Sequence, residues 1–256
     1  MHYEIHGRQD AEADTIVLSS GLGGAGAFWT PQLAALGEYF RVVTYDQTGT
    51  GKSPAVIPEG YTIEAMAQDV LDMVDALGIT RCHFMGHALG GLVGLQIGLM
   101  RPELLISQIL VNAWSKPNPH SARCFAVRLA LLNDTGPAAY VQAQPLFLYP
   151  ADWMLQNTKR LEADEAHALA YFPDSENVRR RIAALQAFDV DTQLAQIRTP
   201  TLIVANQDDL LVPWVCSEHL AKHLPDAQFE LLSYGGHASS VTDPDIFNAL
   251  MLDYLT

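Results

Sequence analysis

The sequence predicts an α/β fold: a mostly parallel central sheet flanked by helices, with a helical cap inserted midway along the chain. Three observations point there. Short β-rich runs alternate with helical patterns in the first half. The alternation stops after Asn112, where Lys116-Pro117-Asn118-Pro119 breaks any regular element. It resumes with Thr201-Leu202-Ile203-Val204-Ala205 after Arg198-Thr199-Pro200. A chain of 256 residues is long enough for one sizeable core and short for two. The expected organisation is a first part of the core at 1–116, a helical cap at 117–188 and the rest of the core at 189–256.

Taken in order, the expected strands are Thr15–Ser19, Arg41–Tyr45, Cys82–Met85 and Ile106–Val111, each a short run rich in β-branched or aromatic residues. The clearest helix runs from Thr62 to Leu77. Ile63, Met66, Val70, Met73, Val74 and Leu77 keep the spacing of one buried stripe, and Gly78 supplies a stop. From His120 to about Phe188 the pattern is helical with no buried strand. A last strand, Phe229–Leu232, and a helix, Asp245–Tyr254, close the chain.

Composition narrows the function. Apolar residues make up 49% and charged residues 17%, which argues for a packed globule over disorder. The formal charge of -14 disfavours nonspecific attraction to nucleic acid or anionic membrane but by itself names no partner; the small-molecule substrate expected here comes from the resemblance described below. A homodimer stays open. No apolar run would span a bilayer, and Met1 to His6 has neither the basic nor the apolar part of a secretory signal. Cys82, Cys124 and Cys216 are odd in number and scattered, which fits neither a disulfide framework nor a zinc site. A reducing cytoplasm is the expected compartment.

The most informative stretch is Phe84-Met85-Gly86-His87-Ala88-Leu89-Gly90-Gly91-Leu92. A β-run ends in Gly-x-x-x-Gly and passes straight into a helical pattern, the signature of a nucleophile elbow. Small residues at Gly86 and Gly90 let the turn fold tightly and lift its middle residue at the sheet end. That residue is Ala88, whose methyl group can neither attack a carbonyl nor lose a proton.

These residues resemble the α/β-hydrolase family, and the resemblance runs from about Tyr3 to the C-terminus. Ser20-Gly21-Leu22-Gly23-Gly24 is similar to the family's oxyanion loop after its third strand, with Ser20 in place of His. Asp46-Gln47-Thr48-Gly49-Thr50-Gly51-Lys52-Ser53 is similar to its Asp-x-Arg-Gly-x-Gly-x-Ser turn, with Thr48 in place of Arg. Asn206-Gln207-Asp208-Asp209-Leu210-Leu211-Val212-Pro213 resembles the acid loop, whose carboxylate stands four residues before Pro, and that selects Asp209 over Asp208. Gly235-Gly236-His237 matches the late His loop. The resemblance implies a His237–Asp209 catalytic pair, oxyanion donors in the backbone N–H groups of Leu22 and Leu89, and a cap following the family's sixth strand. Gly21 to Gly26 lacks the Gly-Lys-Ser/Thr ending of a phosphate loop and the GxGxxG spacing of a dinucleotide site, so no cofactor is expected.

Other features carry less. His219 and His223 have the spacing of two zinc ligands on a helix, but Leu220 replaces the Glu of HExxH and no third ligand is evident, so no metal is expected. The cap region contains Phe125, Phe147, Tyr149, Arg123 and Arg128. Trp114, Arg123 and Trp153 are the substrate-binding candidates, an arginine fork being suited to two carboxylate or carbamate oxygens. Arg179-Arg180-Arg181 is expected to face water.

Without a nucleophile the acyl-enzyme route is closed, but a His/Asp pair can still act on bound water. Triads lacking a member keep roughly 10³–10⁴ over water. That is too little for stable esters or amides and enough for a substrate that already decomposes. Gly86–Gly90, Ala143–Met154 and Tyr234–Ala238 further resemble the branch of hydrolases that act on aminoacrylate or carbamate in bacterial uracil degradation, where Ala at the elbow is natural. The resemblance implies 3-aminoacrylate giving malonic semialdehyde and ammonia, or carbamate giving ammonia and carbon dioxide. Three alternatives stay open: a serine esterase or amidase inactivated by an engineered Ser-to-Ala change at Ala88, a non-catalytic ligand-binding homologue, and a lyase using His237 as base.

Overall fold

The computed structural model describes residues 1–256. Seven strands form one sheet: β1 (Tyr3–Gly7), β2 (Thr15–Ser19), β3 (Arg41–Tyr45), β4 (Cys82–His87), β5 (Leu105–Val111), β6 (Thr201–Asn206) and β7 (Ala227–Leu232). Their order is β1-β3-β2-β4-β5-β6-β7, with β1 antiparallel to β3 and every other pair parallel. Strand numbers run one below the family's count, so the loop after its third strand follows β2 and the cap follows β5.

The near-continuous apolar runs are explained by burial on both faces. Successive side chains alternate across a strand. Val17, Val43, Phe84, Leu110 and Ile203 face one core of 42 buried residues, which takes in α2 (Ile63–Ala76) and α3 (Leu89–Met100). Their neighbours Ile16, Leu18, Val42, Met85, Ile109, Val111, Leu202 and Val204 face a second core of 13, closed by Leu36 of α1 (Thr30–Gly37) and by Phe247 and Met251 of the last helix. Helix α2 begins where the Thr62 hydroxyl accepts the Ala65 N–H, and ends before Gly78, which has φ +67°.

Between β5 and β6 the chain forms five helices: α4 (Pro119–Ala130), α5 (Pro137–Leu148), α6 (Ala151–Gln156), α7 (Thr158–Ala170) and α8 (Ser175–Ala187). The two crossings into this insertion meet where the Val190 N–H donates to the Ser115 carbonyl at 2.9 Å. After β6 come α9 (Trp214–His223), α10 (Ser239–Thr242) and α11 (Pro244–Leu255). No helix is long and apolar enough to cross a membrane.

One expectation about the insertion is corrected here. Arg179 is half-exposed, but Arg180 reaches the Ile57 carbonyl, and Arg181 is buried, donating to Leu22 O at 3.0 Å and to Gln47 Oε1. Helix α8 packs down onto the core, so a run of three arginines spreads over three directions and one turns inward.

Candidate active site

The elbow is a point of backbone strain. Ala88 has φ +48° and ψ -110°, outside the regions an L-residue favours, and its N–H is tied to Val111 O at 2.8 Å. Glycines make the turn possible: a Cβ on Gly86 would lie 2.2 Å from Gly90 O, and one on Gly90 would lie 2.2 Å from Ser19 O. Leu89 is the first residue of α3, so its N–H has no acceptor in its own helix. Leu22 stands opposite, in the loop after β2. The two residues whose N–H groups are the expected oxyanion donors thus line the same pocket as Ala88.

His237, on the loop after β7, is buried, and its Nδ1–H donates to Asp209 Oδ2 at 2.7 Å. Asp209 Oδ1 accepts the Leu211 and Val212 N–H groups at 2.7 and 2.9 Å. The carboxylate thus fixes the imidazole tautomer, and Nε2 is left as the basic nitrogen. The neighbouring Asp208 does different work. Its two oxygens accept the N–H groups of Gly235 and Gly236 at 3.1 and 3.0 Å, holding the main chain of the His loop, whose two glycines have φ +126° and +65°. The spacing to Pro213 singles out the aspartate that meets the imidazole, while the partner of Asp208 had no sequence signal.

His237 is anchored from behind through its carbonyl. His87 Nε2–H donates to it at 2.7 Å and Asn112 Nδ2 at 2.9 Å. Asn112, at φ +50°, also accepts the Asn206 N–H, and Asn206 in turn holds Tyr234 O and Ser239 Oγ. This buried amide network at the ends of β5 and β6 escaped the sequence reading, since Asn after a strand reads as an ordinary turn residue. His87 is also new as a site residue. Its ring stacks on Phe28 with centroids 4.8 Å apart, and burial, followed by the neighbouring His237, pushes its pKa down to about 3. It is therefore a neutral imidazole whose Nδ1 is buried without a partner beside the pocket.

The pocket has a volume of about 160 Å³. Its floor is the loop after β2, His87, Ala88 and Leu89, and its walls include Trp114, Leu211, His237 and the insertion residues Phe125, Arg128, Gln144, Leu148 and Leu185. It lies between the C-terminal ends of the strands and the helical insertion, the usual place for a ligand in an open parallel sheet. Of the three substrate-binding candidates, only Trp114 lines it. Arg123 is exposed on the outer face of α4, and the inward arginine is Arg128. Trp153 is buried behind the His loop, packed with Ala238 and Val241 and topped by the Arg160 guanidinium at 5.4 Å, so it supports the loop without reaching the pocket. The sequence does hold a signal for Arg128: Cys124, Phe125 and Arg128 follow Ser121 at i+3, i+4 and i+7 along the buried face of α4.

His219 pairs with Asp191 at 2.7 Å, a carboxylate that Lys116 and Ser115 share, and no cluster of three His, Cys, Asp or Glu side chains is placed to hold a metal ion.

The fold, the elbow and the ordered acid and histidine loops define a class, and the comparison with known families agrees: the Alpha/beta hydrolase family matches residues 16–250, and the chain belongs to it. Over its whole length the chain is 65% identical to the "Putative carbamate hydrolase RutD" of Stutzerimonas stutzeri (strain A1501), covering 96% of that protein. It is 54% identical to the protein of the same description from Agrobacterium fabrum (strain C58 / ATCC 33970), again over 100% of this chain and covering 98% of that one. Among solved structures, the enol-lactonase from Burkholderia xenovorans LB400 superposes with a TM-score of 0.90 at 30% identity, over 99% of this chain and 95% of that one. A hydrolase from Pseudomonas aeruginosa PA01 gives 0.88 at 29%, over 99% and 93%.

Proposed function

We propose that the protein is a hydrolase of carbon–nitrogen bonds that acts on a labile compound of pyrimidine breakdown, carbamate or 3-aminoacrylate, and releases ammonia. The observation that carries this reading is a buried His237–Asp209 pair facing a small pocket whose elbow bears a methyl group. A chain that had lost all chemistry would have little use for a carboxylate that accepts three hydrogen bonds in order to orient one imidazole. The relatives described as carbamate hydrolases support the same class of substrate.

In this mechanism a water molecule occupies the space that a serine hydroxyl would fill above Ala88. His237 Nε2 takes its proton as the oxygen attacks the carbon bonded to nitrogen, and Asp209 steadies the resulting imidazolium. The Leu22 and Leu89 N–H groups stabilise negative charge developing on oxygen. His237 then returns the proton to nitrogen as the C–N bond breaks and ammonia leaves; carbamate is left as bicarbonate, which loses hydroxide to give carbon dioxide, and 3-aminoacrylate is left as the enol of malonic semialdehyde, which takes a proton at carbon from water and releases the hydroxyl proton. The required gain is modest because the substrate already decomposes in water.

The direct test is a time course of ammonia release from freshly generated 3-aminoacrylate and from carbamate, with and without protein. Acceleration of either supports the proposal, and no acceleration of both refutes it. Ala88→Ser separates this reading from a disabled esterase. It should leave ammonia release at or below the parent rate, because the added hydroxyl competes for the place of the water. A gain of several orders of magnitude in ester hydrolysis, with no protein-dependent ammonia release, would identify a serine enzyme, since the nucleophile acts with His237 and Asp209 as a unit.

A further inference from the structure

Arg128 is 3% exposed and lines the pocket, yet it makes no ion pair. Its hydrogen bonds go to neutral acceptors, Tyr140 Oη at 2.8 Å and Gln144 Oε1 at 3.3 Å, and both come from Nη2. Nη1 makes none, and Nε is buried without a partner. The rings of Phe125, Tyr140 and Phe147 surround the guanidinium, with centroids 5.7, 5.1 and 5.8 Å from Cζ. Aromatic faces favour a cation but do not neutralise it.

Burial of an unpaired cation is unfavourable, and a protein of formal charge -14 has carboxylates in plenty with which to pair it. None lines this pocket, where Arg128 is the one Lys or Arg side chain. Arg181 is the other buried arginine without an ion pair, and its Nε and Nη1 also lack partners. Position separates the two: Arg181 supports the loop after β2 through Leu22 O and Gln47 Oε1 and stays outside the pocket, whereas Arg128 lines it, where a ligand can reach the guanidinium.

We propose that Arg128 is the binding site for a carboxylate on the substrate, and that the pocket selects small, singly charged organic acids over their neutral counterparts. A planar guanidinium matches a planar carboxylate. A doubly charged phosphate would set two charges against one cation among Trp114, Phe125, Leu148 and Leu185. The size of the ligand is limited too: about 160 Å³ is well below the roughly 300–1,000 Å³ of pockets for drug-sized ligands. The assignment deepens the hydrolase reading above, on which it rests for the identity of the reacting group, but it concerns binding alone.

The test uses an inert pair of three-carbon ligands, propanoate and propanamide, titrated by ligand-observed NMR at constant ionic strength. The parent protein should bind propanoate about 10–100-fold more tightly than propanamide, the range for a charge-assisted pair in a desolvated site. Arg128→Met should abolish that preference. Removal of an unpaired buried charge should not lower the melting temperature. Arg128→Gln, which drops the charge and keeps a donor, should lose the preference too, and it decides the matter if the methionine variant does not fold. Equal binding of the two ligands to the parent, or an undiminished preference in a folded charge-removed variant, overturns the assignment. Because neither ligand reacts, a failed ammonia assay with a lost preference in the variants would refute the hydrolase reading and leave the carboxylate site standing.

Discussion

Replacing His237 with alanine is expected to slow ammonia release by about 10²–10⁴, which corresponds to roughly 3–5 kcal/mol of barrier. The size of the effect follows from the lack of a substitute base. His87 is nearby, its ring centroid 4.6 Å from that of His237, but burial keeps its pKa near 3 and its Nε2–H is committed to the His237 carbonyl. The loss should appear mainly in kcat. The bonds that hold the loop go to the main-chain carbonyl and to the Gly235 and Gly236 N–H groups, all of which alanine preserves. Circular dichroism and thermal melting of the variant establish that the fold is intact. Turnover at the parent rate would remove His237 from the mechanism.

Gly90→Ala should destabilise the protein by at least about 3 kcal/mol, lowering the melting temperature by roughly 6–12 °C for a chain of this size. The new Cβ would stand 2.2 Å from the carbonyl oxygen of Ser19 and 2.6 Å from its carbon. Both are backbone atoms of β2, so no flexible side chain can yield, and α3 must move away from the sheet. Gly23→Ala is the matched control. Nothing lies within 4 Å of its Cβ, so it should leave stability unchanged or raise it by up to about 1 kcal/mol. Denaturant unfolding of both variants measures the difference. A Gly90→Ala protein that unfolds with the parent would show that the elbow is looser than its geometry implies.

Local chemistry made much of this molecule legible in one dimension. Short β-rich runs mark the strands and a period near 3.6 marks α2, and burial of the sheet on both faces explains why β2 and β6 read as near-continuous apolar runs. Gly86 and Gly90 announce the elbow because no larger residue fits against the backbone of Gly90 and Ser19. The missing nucleophile is plain at Ala88. The division between Asp208 and Asp209 was readable because the distance to Pro213 is a property of a single loop.

The spacing along α4 places Arg128 on a buried face, but only the tertiary structure decided that this face, and which other side chains of the insertion, reach the pocket. Arg123 and Arg128 share α4, and a helix presents an arginine to solvent or to a cavity according to how its neighbours dock, which composition does not record. Arg181 turned inward for the same reason, drawn to Leu22 O and Gln47 by the descent of α8 onto the core. Trp153, chosen as a large aromatic near the site, sits behind the His loop because α6 packs on Ala238 and Val241. The anchoring of His237 by His87, Asn112 and Asn206 joins residues separated by as many as 150 positions. Spacing along a chain determines what one loop or one strand can do. Contacts between loops depend on the sheet that brings their ends together.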